Sequence, residues 1–304
     1  MIKVLIGYDG SPSANAALEE LKRAGLPGDT RVLVVTVGNI WTPPADIASF
    51  PAAALTSRRV AGTTAQLQNH AERTLKEAEE LSGGAAARIK SDFPDWQVET
   101  EIMSGNAALA LIEKAAEWNA DLIVVGSQNR SAIGRFFLGS VSQKIVIEAN
   151  CSVRVARSGD AKIDKNAARR IVAGIDNSES RDPIIETIAQ RHWTPDTEVL
   201  VLTGIEAFAE ARISAGMQLD SLDRVQSAAA ARLNAVGLKA STVIKGSDAR
   251  NELLVEAEKW NADCIFVGTR DIRGTLDRFL IDSVSAGVAA NAPCSVEVVR
   301  SAAN

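Results

Sequence analysis

The chain has 304 residues, 46% of them hydrophobic, and a formal net charge of −5. That length makes roughly two domains, and that hydrophobic share is ordinary for a globular protein with a core to bury. The acidic balance argues against a general nucleic-acid binder, which would carry a basic face, and no apolar run has the length needed to span a bilayer.

The chain opens with MIKVLIGYDGS, whose apolar run is too short for a secretory signal and reads instead as a first strand over Lys3–Gly7. Ser11 or Ser13 then starts a helix that Gly25 ends. Residues 31–37 form a second, almost wholly apolar strand. Residues 38–62 hold Trp41, Pro43, Pro44 and Pro51 and are too proline-rich at their start for a helix. A long helix over residues 63–90 follows, with Gly83-Gly84 as the place where it could break. Residues 98–103 alternate like a strand, with Val98, Thr100 and Ile102 on one side and Gly105 as the stop. Residues 107–118 read as a helix with Leu109, Ile112 and Ala116 on one face. Residues 122–125 are a fourth strand leading into Gly126. A loop then reaches Gly139-Ser140, which opens an amphipathic segment, and residues 152–156 close the unit as a fifth strand.

The chain then repeats itself, and the repetition decides the architecture. Ile6-Gly7-Tyr8-Asp9-Gly10-Ser11 returns as Ala173-Gly174-Ile175-Asp176-Asn177-Ser178, and Trp118-Asn119-Ala120-Asp121 as Trp260-Asn261-Ala262-Asp263. Arg135-Phe136-Phe137-Leu138 with Ser140-Val141-Ser142 returns as Arg278-Phe279-Leu280-Ile281 with Ser283-Val284-Ser285, and Cys151-Ser152-Val153 as Cys294-Ser295-Val296. Two copies of one domain are expected, 1–158 and 169–304, joined by the polar stretch SGDAKIDKNAA. The first copy carries the extra segment 38–62. In the second, strands are expected at 171–175, 199–203, 241–245, 264–267 and 295–299, and helices at 183–191, 217–236 and 250–260.

Alternating strands and helices with near-continuous apolar strands predict an α/β fold. Each copy is an open, mostly parallel five-stranded sheet with helices on both faces. Ligands of such sheets sit beyond the carboxyl ends of strands where the strand order reverses. If the first and fourth strands are neighbours there, Asp9 and Gly126 converge on one crevice. A buried strand feeding a loop into a helix start also makes an anion site, because free N–H groups and the helix dipole point the same way. Ordinary helix capping is the alternative reading of Gly139-Ser140. Cys151, Cys264 and Cys294 are an odd count without metal-ligand spacing and fit a reduced, cytoplasmic compartment. His70 and His192 read as solvated surface residues.

These residues resemble the universal stress protein family in its tandem two-domain form. The resemblance rests on the Asp after the first strand, the Gly126 to Ser140 stretch and the Cys-Ser-Val terminal strand, and covers nearly the whole chain. ATP-binding members carry Gly, two residues, Gly, nine residues, then Gly and Ser or Thr. Gly126, Gly139 and Ser140 match at the right spacing, and Asn129 replaces the second glycine. The resemblance implies an ATP site in the first copy, built from Gly7, Asp9, Val37, Gly126, Asn129, Arg130, Gly139, Ser140, Val141 and Ser142. In that reading Asp9 accepts from the adenine amino group or the ribose, and the Val37 backbone meets the adenine edge. Gly126, Asn129 and Arg130 line the ribose and phosphates. Residues 139–142 offer N–H and hydroxyl groups to the phosphates, bridged by Mg or Mn. Asp9 as a turn former before Ser11, and Arg130 as a solvated charge, are the alternatives.

The second copy keeps Gly268 but has Asp271 and Asp282 where the pattern wants glycine. An acid at the phosphate position repels like charge and can itself cap the helix, so this copy is expected to bind no nucleotide. The resemblance also implies that the two last strands pair antiparallel, giving an intramolecular pseudo-dimer. Association of two chains into a homodimer is left open. Three functions compete: an ATP-dependent binding module for stress or signalling with a protein partner, a scaffold that binds no nucleotide, and a slow ATPase. No nucleophile with a nearby histidine, paired acid and base, or P-loop lysine favours the last.

Overall fold

The computed structural model describes residues 1–38, 58–127, 138–157, 164, 166–176, 181–204, 217–246, 248–269 and 283–300. In the helices beginning at 58, 217 and 283, side chains are described from 71, 221 and 284 onward. The first half alternates β1 (Lys3–Gly7), β2 (Arg31–Gly38), β3 (Gln97–Ser104), β4 (Leu122–Gly126) and β5 (Ser152–Ala156) with helices α1 (Pro12–Glu20), α2 (Arg58–Asp92), α3 (Ala107–Trp118) and α4 (Ser140–Glu148). The second half alternates β6 (Arg170–Gly174), β7 (Glu198–Gly204), β8 (Lys239–Lys245), β9 (Cys264–Gly268) and β10 (Ser295–Val299) with α5 (Arg181–Ala189), α6 (Met217–Asn234), α7 (Ala249–Lys259) and α8 (Ser283–Asn291).

All ten strands join one sheet in the order β3-β2-β1-β4-β5-β10-β9-β6-β7-β8. Within each half the neighbours are parallel, as buried apolar strands linked by helical crossovers must be. The halves meet where β5 and β10 pair antiparallel, with Val153, Arg154 and Val155 opposite Val298, Glu297 and Val296.

One face of the sheet carries a single core that runs across both halves. Leu5, Ile123, Val153 and Val155 continue into Val296, Val298, Ile265 and Val172 beneath Ile145 and Val146 of α4 and Val288 and Ala289 of α8. The other face carries two separate cores. Val4, Ile6, Val34 and Val124 pack under α1 and α2 in the first half. Ile171, Val199, Val201 and Phe266 pack under α5 and α6 in the second.

The repeated Trp-Asn-Ala-Asp block is structural. Asn119, directly after α3, and Asn261, two residues past α7, take left-handed backbones, φ 52° and 50°, a conformation asparagine tolerates better than most residues. The turn buries Ala120 and Ala262 and swings an aspartate back to the adjacent strand. Asp121 accepts from the Lys3 amide at 2.8 Å and Asp263 from the Arg170 amide at 2.9 Å.

Several expectations need correction. α2 begins at Arg58, so helix reaches into the stretch expected to be extra loop, and it passes through Gly83 and Gly84 unbroken. Both glycines are exposed, while Ala78, Ala85, Ala86 and Ile89 bury the opposite side and hold the helix down. The expected face of α3 is also wrong: Leu109 is 43% exposed, and Ala108, Leu111 and Ala115 face the sheet. Val98, Thr100 and Ile102 share a side of β3 as expected, but Thr100 is exposed because β3 is a sheet edge. β1, by contrast, has its expected bounds, Lys3–Gly7, with Asp9 two residues beyond its end. The helix expected to run to Gly25 stops early: α1 ends at Glu20, and a 3-10 turn, Leu21–Arg23, carries the chain to Gly25 at φ 64°. His192 is exposed as expected. The His70 side chain, Trp41, Phe50 and most of the linker lie outside the described residues.

The three cysteines are free thiols. Burial pushes the Cys151 thiol up to about 11 and the Cys264 thiol up to about 12, and raises Cys294 as well. A thiol rather than a thiolate therefore prevails near neutrality, and the thiolate is the reactive form. Iodoacetamide at pH 8 is expected to modify the folded chain slowly, and to give three adducts by intact mass once denaturant is added. Rapid modification of the folded chain would contradict the burial seen at these positions.

Candidate functional site

A cleft opens beyond the carboxyl ends of β1, β2 and β4. Its described lining includes Gly7, Tyr8, Asp9, Val37, Gly126 and residues 139–142, joined by Ser11, Ser13, Leu111 and other residues from the starts of α1 and α3. β1 and β4 are neighbours, Val4 opposite Leu122. The chain leaves β1 outward to β2 and β3 and returns to β4 on the other side, so this is the reversal point where parallel sheets hold ligands. Of the ten site residues expected from sequence, the structure gathers eight here. Asn129 and Arg130 lie outside the described residues.

Three helix starts surround the cleft, and they differ in how their first N–H groups are satisfied. At α1, Ser11 caps through its hydroxyl, which accepts from the Ala14 amide at 3.1 Å, and Pro12 occupies the first turn. Asp9 tightens the approach, its carboxylate accepting from the Ser11 amide at 3.0 Å. That is the turn-forming role weighed for Asp9, and it uses one of the two carboxylate oxygens. At α3, Asn106 accepts from the Ala108 and Leu109 amides at 3.1 and 3.2 Å. At α4 the cap is Gly139, which has no side chain to offer. Its backbone, φ −63° and ψ 155°, is one that any residue adopts. The glycine there leaves space rather than relieving strain. The first N–H groups of α4 have no partner within their helix, and the dipole of α4 adds to their pull on an anion.

Two glycines shape the walls. A Cβ at Gly126 would lie 2.0 Å from the Ser13 carbonyl oxygen, so α1 can start against the end of β4 only if that residue is glycine. A Cβ at Gly7 would lie 2.8 Å from Leu111, the apolar floor contributed by α3. Ser142 is buried, and its hydroxyl donates to the Gly126 carbonyl at 2.7 Å. That hydroxyl therefore ties α4 to β4 instead of being free to donate to a ligand, which corrects its expected role.

Val37 earns its place through register. β1 runs out at Gly7, opposite Val35, while β2 continues to Gly38. The Val35 carbonyl accepts from the Tyr8 amide at 2.9 Å, so Val35 points its backbone toward β1. Two residues on, Val37 points the same way, now past the end of β1 and into the cleft. Asp9 is the one charged residue among the described lining residues. Among the described residues no group of three or more His, Cys, Asp or Glu could hold a metal ion, and no helix is long and apolar enough to cross a membrane.

A family model described as the universal stress protein family matches residues 1–157 and again 167–300. The chain belongs to that family. It is 30% identical over 154 residues to the Thermus aquaticus "Universal stress protein in QAH/OAS sulfhydrylase 3'region", an alignment spanning 51% of this chain and 97% of that one. A universal stress protein of Mycobacterium tuberculosis is 29% identical over 215 residues, 67% of this chain and 69% of the relative. The crystal structure of a universal stress protein from Archaeoglobus fulgidus shares the fold over 98% of each chain, with a TM-score of 0.67 at 19% identity. The two matched segments of this universal stress protein meet at the β5–β10 seam.

Tyr8, Ser11, Ser13, Leu111 and Val125 line the cleft and were not assigned to it from sequence, where Ser11 and Ser13 read only as helix starts. Tyr8 sits between Gly7 and Asp9 and could have been read with them. Leu111 is visible only once α3 is turned to the correct face. The tight contact at Gly126 generates a test. Gly126→Ala is expected to cost about 2 kcal/mol or more, the scale of overpacking a filled site, and to lower the denaturant midpoint. An unchanged midpoint would mean that α1 can withdraw from β4 freely.

Proposed function

We propose that the N-terminal half binds ATP with Mg or Mn on its phosphates, and that the chain is a nucleotide-dependent binding module for stress or signalling rather than a turnover enzyme. The observation that supports this most directly is the bare start of α4. Two neighbouring helix starts cap themselves with Ser11 and Asn106, and the third presents Gly139 to the cleft. Backbone donors and a helix dipole without a competing side chain form an anion site. In this reading the phosphates meet the amides of Ser140, Val141 and Ser142. The adenine edge meets the backbone of Val37, and the second carboxylate oxygen of Asp9 accepts from the adenine amino group or the ribose. Gly7 and Gly126 keep the walls close, and Asn129 and Arg130 flank the ribose and phosphates. The described lining supplies a single carboxylate, so the metal ion would be held mainly by phosphate oxygens and water.

The same reading assigns the C-terminal half no nucleotide. Asp282 immediately precedes α8, where Gly139 precedes α4. A carboxylate there would take the first-turn amides itself. The setting is the cytoplasm, in keeping with free thiols, and the partner is a protein that responds to the loaded cleft.

Heating the purified chain is expected to release a purine identifiable by absorbance and mass, or else added ATP with magnesium should give a calorimetric binding signal. Gly139→Asp should weaken ATP binding at least about tenfold through repulsion at contact distance. It should leave the thermal midpoint unchanged or slightly raised, since aspartate is a better cap than glycine. Failure of the wild-type chain to bind any adenine nucleotide would favour a scaffold role. Unchanged affinity in Gly139→Asp would remove the phosphates from α4.

A further inference from the structure

On the sheet face opposite the shared core, the seam between the halves buries charge. Arg154 of β5 and Glu297 of β10 are fully buried, stand opposite each other in register and bond at 2.9 Å. Arg154 also bonds Glu20 of α1 at 2.7 Å. Arg191, just past α5, bonds Glu297 and donates to the Ala24 carbonyl of the other half at 2.6 Å. Both guanidinium groups lie near the Phe266 ring, at 6.0 and 5.6 Å from its centroid.

Arg154 and Glu297 occupy the same position of the repeat, one residue after Cys151-Ser152-Val153 and Cys294-Ser295-Val296. Because equivalent residues face each other, the approximate two-fold axis of the seam passes between them. Other seam contacts are the same from either side. Valines face valines at Val153–Val298 and Val155–Val296. The Arg157 amide donates to the Ser295 hydroxyl at 3.1 Å, and its side chain donates to the Ala289 carbonyl at 2.7 Å. The Arg300 amide likewise donates to the Ser152 hydroxyl at 3.1 Å, and its side chain donates to the Val146 carbonyl. A pair of two N-terminal halves, or of two C-terminal halves, would keep these contacts. It would also lose the Arg154–Glu297 bond and set arginine against arginine, or glutamate against glutamate, about 5 Å apart across the ladder and shielded from water, an unfavourable contact that Glu20 or Arg191 of each half offsets only in part.

We propose that Arg154 and Glu297 make the seam selective: the last strand of an N-terminal half accepts that of a C-terminal half and rejects its own kind. The partner this surface fits is therefore the complementary half. A chain satisfies it by closing on itself, and a second copy of the chain cannot pair through it like with like.

The test uses whole chains carrying inverted charges. Arg154→Glu and Glu297→Arg chains, one of them isotope-labelled, are refolded from denaturant separately and as an equal mixture, and native mass spectrometry counts the species. Separately, each is expected to lose the closed seam and melt lower. Mixed, they should form a two-chain complex with one of each, exceeding either like complex by at least about a hundredfold, and the melting temperature should recover toward wild type. Arg154→Met with Glu297→Met, which removes the facing charges but leaves Arg191 without its carboxylate, should melt lower than wild type yet stay single-chain with the seam closed. That result would place the failure of the inverted chains in repulsion and not in packing. Statistical mixing of labelled and unlabelled chains, absence of the mixed complex, or wild-type stability in either inverted chain would overturn the proposal.

Discussion

Backbone hydrogen bonding between two terminal strands, β5 and β10, is the constraint on which the rest of the molecule depends. Without it each half would end in a short apolar strand with an open edge, a template for indiscriminate pairing. With it, ten strands become one sheet, and one face acquires a core that neither half owns. Ile145 and Val146 from α4 and Val288 and Ala289 from α8 lie in the same cluster. The seam is therefore held by two unlike means. Apolar burial is continuous on one face, while on the other the charges of Arg154, Glu20, Glu297 and Arg191 neutralise one another between two separate cores.

The cleft follows from how tightly three helices can be brought to the ends of the strands. Gly126 lets α1 begin almost on top of β4, and Ser142 fastens α4 to the same carbonyl end. That rigidity brings α4 in with its leading amides directed at the opening. The side chains that would normally satisfy such amides are present at α1 and α3 and missing at Gly139. In the proposed reading, selectivity for an anion comes from what one residue lacks, set within a frame of ordinary caps.

Much of this was legible in the chain. The repeated blocks announced two copies, and the terminal strands were placed at their observed bounds because short apolar runs between turn residues leave little choice. Eight of the ten residues named for the site line the cleft, because they sit at strand ends and helix starts, where spacing is informative. Alanine-rich α3 misled, since apolar residues on nearly every side let the wrong face look buried. Exposed Gly83 and Gly84 suggested a break that the packing of Ala85 and Ile89 prevents. The buried charges could not be foreseen. SVRVA and SVEVV each read as strands with a charged outer face, and only their pairing shows that one charge closes the other off from water. Ser142 was assigned to the ligand because sequence cannot tell which way a hydroxyl turns.

Antiparallel union has a geometric result. Strands run one way in the first half and the reverse way in the second, so their carboxyl ends lie on opposite rims of the sheet. The N-terminal cleft and the carboxyl ends of β6 and β9 consequently look out in opposite directions. A macromolecule docking on one rim meets the strand ends of one half alone, so the two sides of the molecule are free to diverge in what they present.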